Sequence, residues 1–295
     1  MAAERPARKQ PTLHRGRVVR TEQLTPHMMR VVLGGDGLGN FVAGEYTDHY
    51  VKLVFPLPGV AYPEPFDMAR IRADLPRDQW PRTRTYTVRS WDAAARELTL
   101  DFVVHGDEGL AGPWAVAAKP GDEILFLGPG GAYAPAADAD WHLLAGDESA
   151  LPAIAAALAR MPAGVPVHAF IEVADPKERQ ELTAPAGAEI TWLYRGAAPV
   201  GRELLAAVRE LTFPAGRVHA FVHGEAGFVK ELRRLLRIDH NVPREDLSIS
   251  GYWRTGHDED GWQASKRDWN QRVEAEQETA GAGAEAGAGA SAGAA

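Results

Sequence analysis

Between residues 13 and 133, apolar and polar positions alternate in short runs: RGRVVR at 15–20, MMRVVL at 28–33, YVKLVF at 50–55, RTYTVR at 84–89, ELTLDFVV at 97–104 and DEILFL at 122–127. Neighbouring side chains on a strand point to opposite faces, so Leu98, Leu100, Phe102 and Val104 share one face. Turns rich in Gly and Pro separate the runs. This many short strands in ~120 residues predicts an antiparallel β-barrel. One short helical stretch, 111–118, ends at Pro120 and Gly121.

From about residue 140 the pattern changes to strands alternating with helices, the signature of parallel βαβ units. Strands are expected at 141–146, 165–173, 189–194, 217–223 and 247–253, and helices at 149–160, 201–211 and 226–237. Leu151, Ile154 and Leu158 share one helical face, as do Val229, Leu232 and Leu236. The expected organisation is a polar, disordered N-terminus (1–12), a β-barrel domain (13–133), a parallel-sheet α/β domain (140–256), a helix bearing Trp262 and Trp269 (257–278), and a disordered Ala/Gly tail (279–295). The seam falls in the Gly, Pro and Asp cluster at 128–140.

Composition narrows the chemistry. The 295 residues are 45% hydrophobic and 24% charged, as in an ordinary folded protein, and the net charge of −8 argues against a nucleic-acid binder. The absence of cysteine excludes disulfides, thiolate metal sites, iron–sulfur clusters and thiol catalysis, so redox chemistry would need a bound cofactor. The N-terminus lacks the apolar run of a secretory signal, and no stretch approaches the ~20 apolar residues of a membrane span. The cytoplasm is the expected location.

Four segments carry candidate chemistry. In RTRTYTVR (82–89), Arg84, Tyr86 and Val88 point one way and Thr85, Thr87 and Arg89 the other. An aromatic ring with adjacent hydroxyls suits a flavin edge, and an arginine fork suits a pyrophosphate; an amphipathic strand with exposed arginines reads equally well. In HGDEGLAGPW (105–114), glycines at 106, 109 and 112 precede a helix start and leave amides open to a phosphate, or simply form a turn. LLAGDESALP (143–152) joins a strand to a helix where a dinucleotide commonly lies, without the GxGxxG fingerprint; Ser149 reads equally as a helix N-cap. HGEAG (223–227) is another strand end meeting a helix, and SGYWRTG (250–256) brings Tyr252 and Trp253 out of the last strand, to cover a ring system or to complete a core.

Taken in order, TDHYVKL (47–53), RTRTYTVR, AGDESALP (145–152), HGEAG and SGYWRTG resemble the siderophore-interacting, FAD-binding family of the ferredoxin–NADP reductase fold, over about Leu13 to Trp269. The resemblance implies an N-terminal antiparallel FAD-binding barrel followed by a parallel-sheet NAD(P)-binding domain. It implies FAD contacts from Asp48, His49, Arg84, Thr85, Tyr86, Thr87, Val88, Arg89, His105, Ala111, Gly112 and Trp114. Two departures stand out: the family's Asp-Gln-His turn is Asp48-His49-Tyr50 here, and its phosphate-side serine is missing from the stretch 109–114.

For the nicotinamide cofactor the resemblance implies Gly146, Asp147, Glu148, Ser149, Gly224, Glu225 and Ala226. Arg195 suits the extra phosphate of NADPH, whereas Glu172 suits the ribose diol of NADH; the balance leans to NADPH. Lys52 and Arg254 match basic residues that attract an anionic ferric siderophore. The implied activity is reduction of siderophore-bound iron(III) by NAD(P)H through FAD, with a ferredoxin as a further candidate donor and no protein metal ligands. A general NADPH-dependent flavin or ferredoxin-type reductase and a non-catalytic siderophore-binding protein are the alternatives.

Overall fold

The computed structural model describes residues 11–106 and 109–291, with side chains described as far as 277. The chain divides into two compact units, Met1–Ala132 and Tyr133–Ala295. Most of the N-terminal segment expected to be disordered lies outside the described residues.

The first unit contains β1 (Thr12–Thr25), β2 (Met28–Gly34), β3 (Tyr50–Phe55), α1 (Met68–Asp74), β4 (Arg82–Asp92), β5 (Glu97–Val103), α2 (Ala111–Ala117) and β6 (Glu123–Gly130). The six strands form a closed barrel in the order β1-β2-β5-β4-β3-β6, sealed by antiparallel pairing of β6 with β1. Closure removes the open edges that would otherwise invite aggregation. Alternate strand residues, Val31 and Leu33, Val51 and Leu53, Leu98, Leu100 and Phe102, fill the interior.

Helix α1 lies in a stretch with no expected element. Asp67 caps it, accepting from the amides of Ala69 and Arg70, and Ile71 is fully buried.

The second unit contains β7 (Trp141–Gly146), α3 (Leu151–Leu158), β8 (Val167–Val173), β9 (Glu189–Tyr194), α4 (Arg202–Glu210), β10 (Val218–Glu225), α5 (Ala226–Arg234), β11 (Leu247–Trp253) and α6 (Glu259–Ser291). Its sheet is parallel throughout, in the order β11-β10-β7-β8-β9. Strand β7 is buried along its whole length, as expected for a parallel strand covered on both faces.

Helix α6 lies against α5, with Lys230 paired to Glu276, Arg233 to Glu274, and Gln277 donating to the Lys230 carbonyl. Trp262 is buried and meets Trp269 edge to face at 5.4 Å. The helix is assigned to Ser291, within the Ala/Gly tract expected to be disordered. No described helix is long and apolar enough to cross a membrane.

Candidate functional sites

In the barrel unit the structure joins two of the sequence motifs. Antiparallel pairing sets Tyr86 opposite Val51 and Arg84 opposite Leu53. The Tyr86 ring lies 4.3 Å from Phe102, which lies 5.7 Å from Trp114 on α2. An aromatic chain therefore connects the RTYTVR strand to the glycine-rich turn. Val88 and Thr87 are buried, Thr85 is exposed, and the Val88 amide donates to the His49 carbonyl at 2.6 Å. That bond ties the DHY turn to the same strand.

Asp48 accepts from the Ala132 amide at 2.8 Å, so it braces the end of the barrel chain. His49 is buried; its Nδ1 lies 3.3 Å from the Gly130 carbonyl, while its Nε2 has no hydrogen-bond partner. Lys52 is exposed on β3, opposite Thr85.

Arg89 behaves differently from its neighbours on β4. A register shift between Val88 and Ser90 sets it in a polar hollow with Arg20, Glu22, Arg30 and Thr99, its Nε 3.9 Å from Asp101. Asp101 is already held by Arg30 through two bonds of 2.7 and 2.8 Å. Burial, partly offset by Asp101, lowers the Arg89 pKa.

The barrel residues fit FAD. Gly106 and Gly109 have φ of +56° and +82°, and a Cβ on either would meet none of the described residues within 4 Å. Helix α2 starts at Ala111 and Gly112 with no side-chain cap, leaving its first amides available. A phosphate could approach this cradle, with exposed His105 at its lip. The orphaned His49 Nε2 is a further donor or acceptor.

In the parallel-sheet unit, the strand ends are knit together by buried carboxylates. Asp147 accepts from the Glu225 amide at 2.8 Å, the Trp253 indole at 2.8 Å, and the amide and hydroxyl of Ser149 at 2.9 and 2.5 Å. Three turns thus converge on one side chain. Burial, and then the charge of Glu148, push its pKa up to about 6 against those hydrogen bonds. Ser149 is not the N-cap of α3: its hydroxyl points back to Asp147, and Ala150 takes the cap position.

Glu225 caps α5 through the amides of Gly227 and Phe228 and also accepts from Thr255. Ala226 is fully buried at the start of that helix. Gly146 and Gly224 are required for internal closeness: a Cβ on Gly146 would lie 2.7 Å from the His223 carbonyl, and one on Gly224 2.7 Å from the Asp147 carboxyl. Tyr252 packs against His223 with centroids 4.9 Å apart, and Arg254 follows, half-buried.

Two residues read from the sequence for adenosine recognition behave unequally. Glu172 is fully buried and accepts from the amides of Gly201 at 2.7 Å and Leu204 at 3.1 Å, capping α4. It is not available to a ribose diol, which corrects that expectation. Arg195 sits just beyond β9 with both arms of its guanidinium on the Glu148 carboxylate. Both side chains are mostly covered but not closed off, at 13% and 15% exposure. No metal-binding group of three or more His, Cys, Asp or Glu exists among the described residues.

A closed antiparallel barrel with an aromatic-linked RxYT strand, followed in the chain by a five-stranded parallel sheet, is the fold of the ferredoxin reductases. More narrowly, the chain belongs to the siderophore-interacting protein family. Residues 17–133 match the siderophore-interacting FAD-binding domain, and residues 139–256 match the siderophore-interacting protein domain. The chain is 48% identical over 270 residues to the uncharacterized protein Rv2895c of Mycobacterium tuberculosis, covering 87% of this chain and 95% of that one. It is 33% identical over 255 residues to the ferric vibriobactin reductase ViuB of Vibrio cholerae, covering 83% and 90%. It also matches the crystal structure of a siderophore utilization protein from T. fusca, with 41% identity and a TM-score of 0.72 over 84% of this chain and 95% of that one.

Proposed function

We propose that the chain is a ferric-siderophore reductase that takes reducing equivalents from a nicotinamide dinucleotide and releases the iron as iron(II). The observation that carries this reading is the match of residues 17–133 to the siderophore-interacting FAD-binding domain. Its likeness to ferric vibriobactin reductase supports a ferric siderophore as the acceptor. When bound, FAD supplies the conversion of one two-electron donation into single-electron steps.

The chain's own residues provide position and field. Arg84 and the amides of Ala111 and Gly112 hold the pyrophosphate, Tyr86 and Thr87 the flavin ring, and His49 contributes its unpartnered Nε2. In the parallel-sheet unit, Asp147 and Glu225 act as positioning residues that fix the turns and the Trp253 indole. Lys52 and Arg254 attract the anionic chelate to an otherwise acidic protein. Iron(III) prefers the hard oxygen donors of a siderophore more strongly than iron(II) does, so reduction loosens the metal without any protein ligand.

The test is a visible spectrum of the purified protein, followed by anaerobic addition of NADH or NADPH, a ferric siderophore and an iron(II) trap. A yellow protein is expected, whose flavin is bleached by the dinucleotide and restored by the ferric chelate as trapped iron(II) accumulates. Lys52→Ala and Arg254→Ala should each raise KM for the chelate and leave flavin bleaching unchanged. A colourless protein, or a reduced flavin that no ferric chelate reoxidises, refutes the proposal.

A further inference from the structure

We propose that Glu148 determines which nicotinamide dinucleotide the parallel-sheet unit accepts, by holding the Arg195 guanidinium away from an adenosine 2′-phosphate. This rests on reading that unit as the nicotinamide-nucleotide site.

The strand ends offer few groups to an adenosine ribose. The Glu172 carboxylate is buried and occupied by the Gly201 and Leu204 amides. Asp147 is buried and occupied by Ser149, Glu225 and Trp253. The Glu225 carboxylate holds the α5 amides and Thr255. Glu148 and Arg195 differ from these in being partly exposed and in pairing with each other through both arms of the guanidinium.

An arginine that grips a 2′-phosphate does so with the fork that Glu148 now fills. The two anions cannot share that fork without repulsion. The field at Arg195 is already anionic, since the carboxylates of Glu148, Glu172 and Asp147 all act on this one cation. A dianionic phosphate is therefore opposed twice, by competition for the guanidinium and by the surrounding charge. An unphosphorylated ribose meets neither penalty, and its hydroxyls can donate to the lone pairs that Glu148 retains.

Glu148→Gln keeps the shape of the side chain, removes one negative charge and weakens the hold on Arg195. It should thus raise affinity for the phosphorylated ribose selectively. The probes are adenosine 2′,5′-bisphosphate and 5′-AMP, each titrated calorimetrically into the full chain, a readout that needs no hydride transfer. The ratio Kd(5′-AMP)/Kd(2′,5′-bisphosphate) should rise by about tenfold or more in Glu148→Gln. Adding Arg195→Gln to that variant should abolish the gain, because the gain is carried by the freed guanidinium. Glu148→Asp, which keeps the charge, should stay near the wild-type ratio. The kcat/KM ratio for NADPH over NADH should move in parallel, through KM.

Equal weakening of both probes by Glu148→Gln would mark the ion pair as merely structural and overturn the proposal. So would a gain that survives Arg195→Gln. If neither nucleotide binds any variant, the nucleotide-site reading itself fails along with this inference, and that result is distinct from the first two.

Discussion

His142 offers a direct test of how burial controls titration in this protein. It lies on β7 between β10 and β8, its side chain has no exposure, and neither ring nitrogen has a hydrogen-bond partner. Its nearest ring is His219, 5.9 Å away on β10. Burial, and then the charge of His219, push its pKa down to about 4. The sign follows from comparing the two states. Below its ordinary pKa of ~6.5 the unfolded chain takes up a proton that the folded chain refuses until about pH 4, so acid favours unfolding through that window. At pH 5 the loss relative to pH 7.5 amounts to about 2 kcal/mol, roughly a thirtyfold change in the folded-to-unfolded ratio. His142→Leu removes the titrating group and the unsatisfied nitrogens together. Urea denaturation followed by tryptophan fluorescence, at pH 7.5 and pH 5, should show the variant losing about 2 kcal/mol less than wild type between the two conditions. Buried His223 and half-buried His219, whose pKa values are also lowered by burial, are present in both proteins. Equal losses in variant and wild type would refute the reasoning.

The other strand-end residues make separate predictions. Gly224→Ala forces a Cβ into the Asp147 carboxyl at a φ of +138°, and should cost about 2–3 kcal/mol by denaturation. Glu172→Ala strips the cap from α4 and should cost about 2–3 kcal/mol, while the Kd for 5′-AMP stays unchanged in calorimetry. Arg84→Ala should weaken FAD retention about tenfold, read as the ratio of flavin to protein absorbance after dialysis. Glu274→Gln removes two ion pairs, with Arg233 and Arg244, yet should cost under ~1 kcal/mol because they lie near solvent.

The barrel and the parallel sheet were legible in the sequence because each leaves a period. Leu98, Leu100 and Phe102 alternate because one face of β5 is the barrel interior. The unbroken apolar run of β7 reflects cover on both faces. Helix α1 leaves almost no period, being two turns long with one buried residue, and the capping Asp67 before Met68 and Ile71 is its one signal. Strict alternation from Tyr86 puts Arg89 on the face of Thr85 and Thr87, and the register shift between Val88 and Ser90 interrupts that alternation at Arg89.

The strand-end carboxylates show why a site is harder to read than a fold. Asp147, Glu172 and Glu225 each stand where an acidic side chain could meet a ligand, and sequence position alone cannot say which backbone amides lie within reach. In the structure all three accept from such amides, from Glu225, Gly201 and Gly227 respectively, at separations of 78, 29 and 2 residues. Amides left unbonded at a helix start or a turn would be costly to bury, so the demand for acceptors comes from the fold itself. Glu148 escapes that demand because its partner is the side chain of Arg195, which can trade one anion for another without unmaking a turn. Rigidity and selectivity at the end of this sheet are therefore assigned to different carboxylates, and substitutions at Glu172 and at Glu148 should separate them, the first lowering stability and the second redirecting affinity.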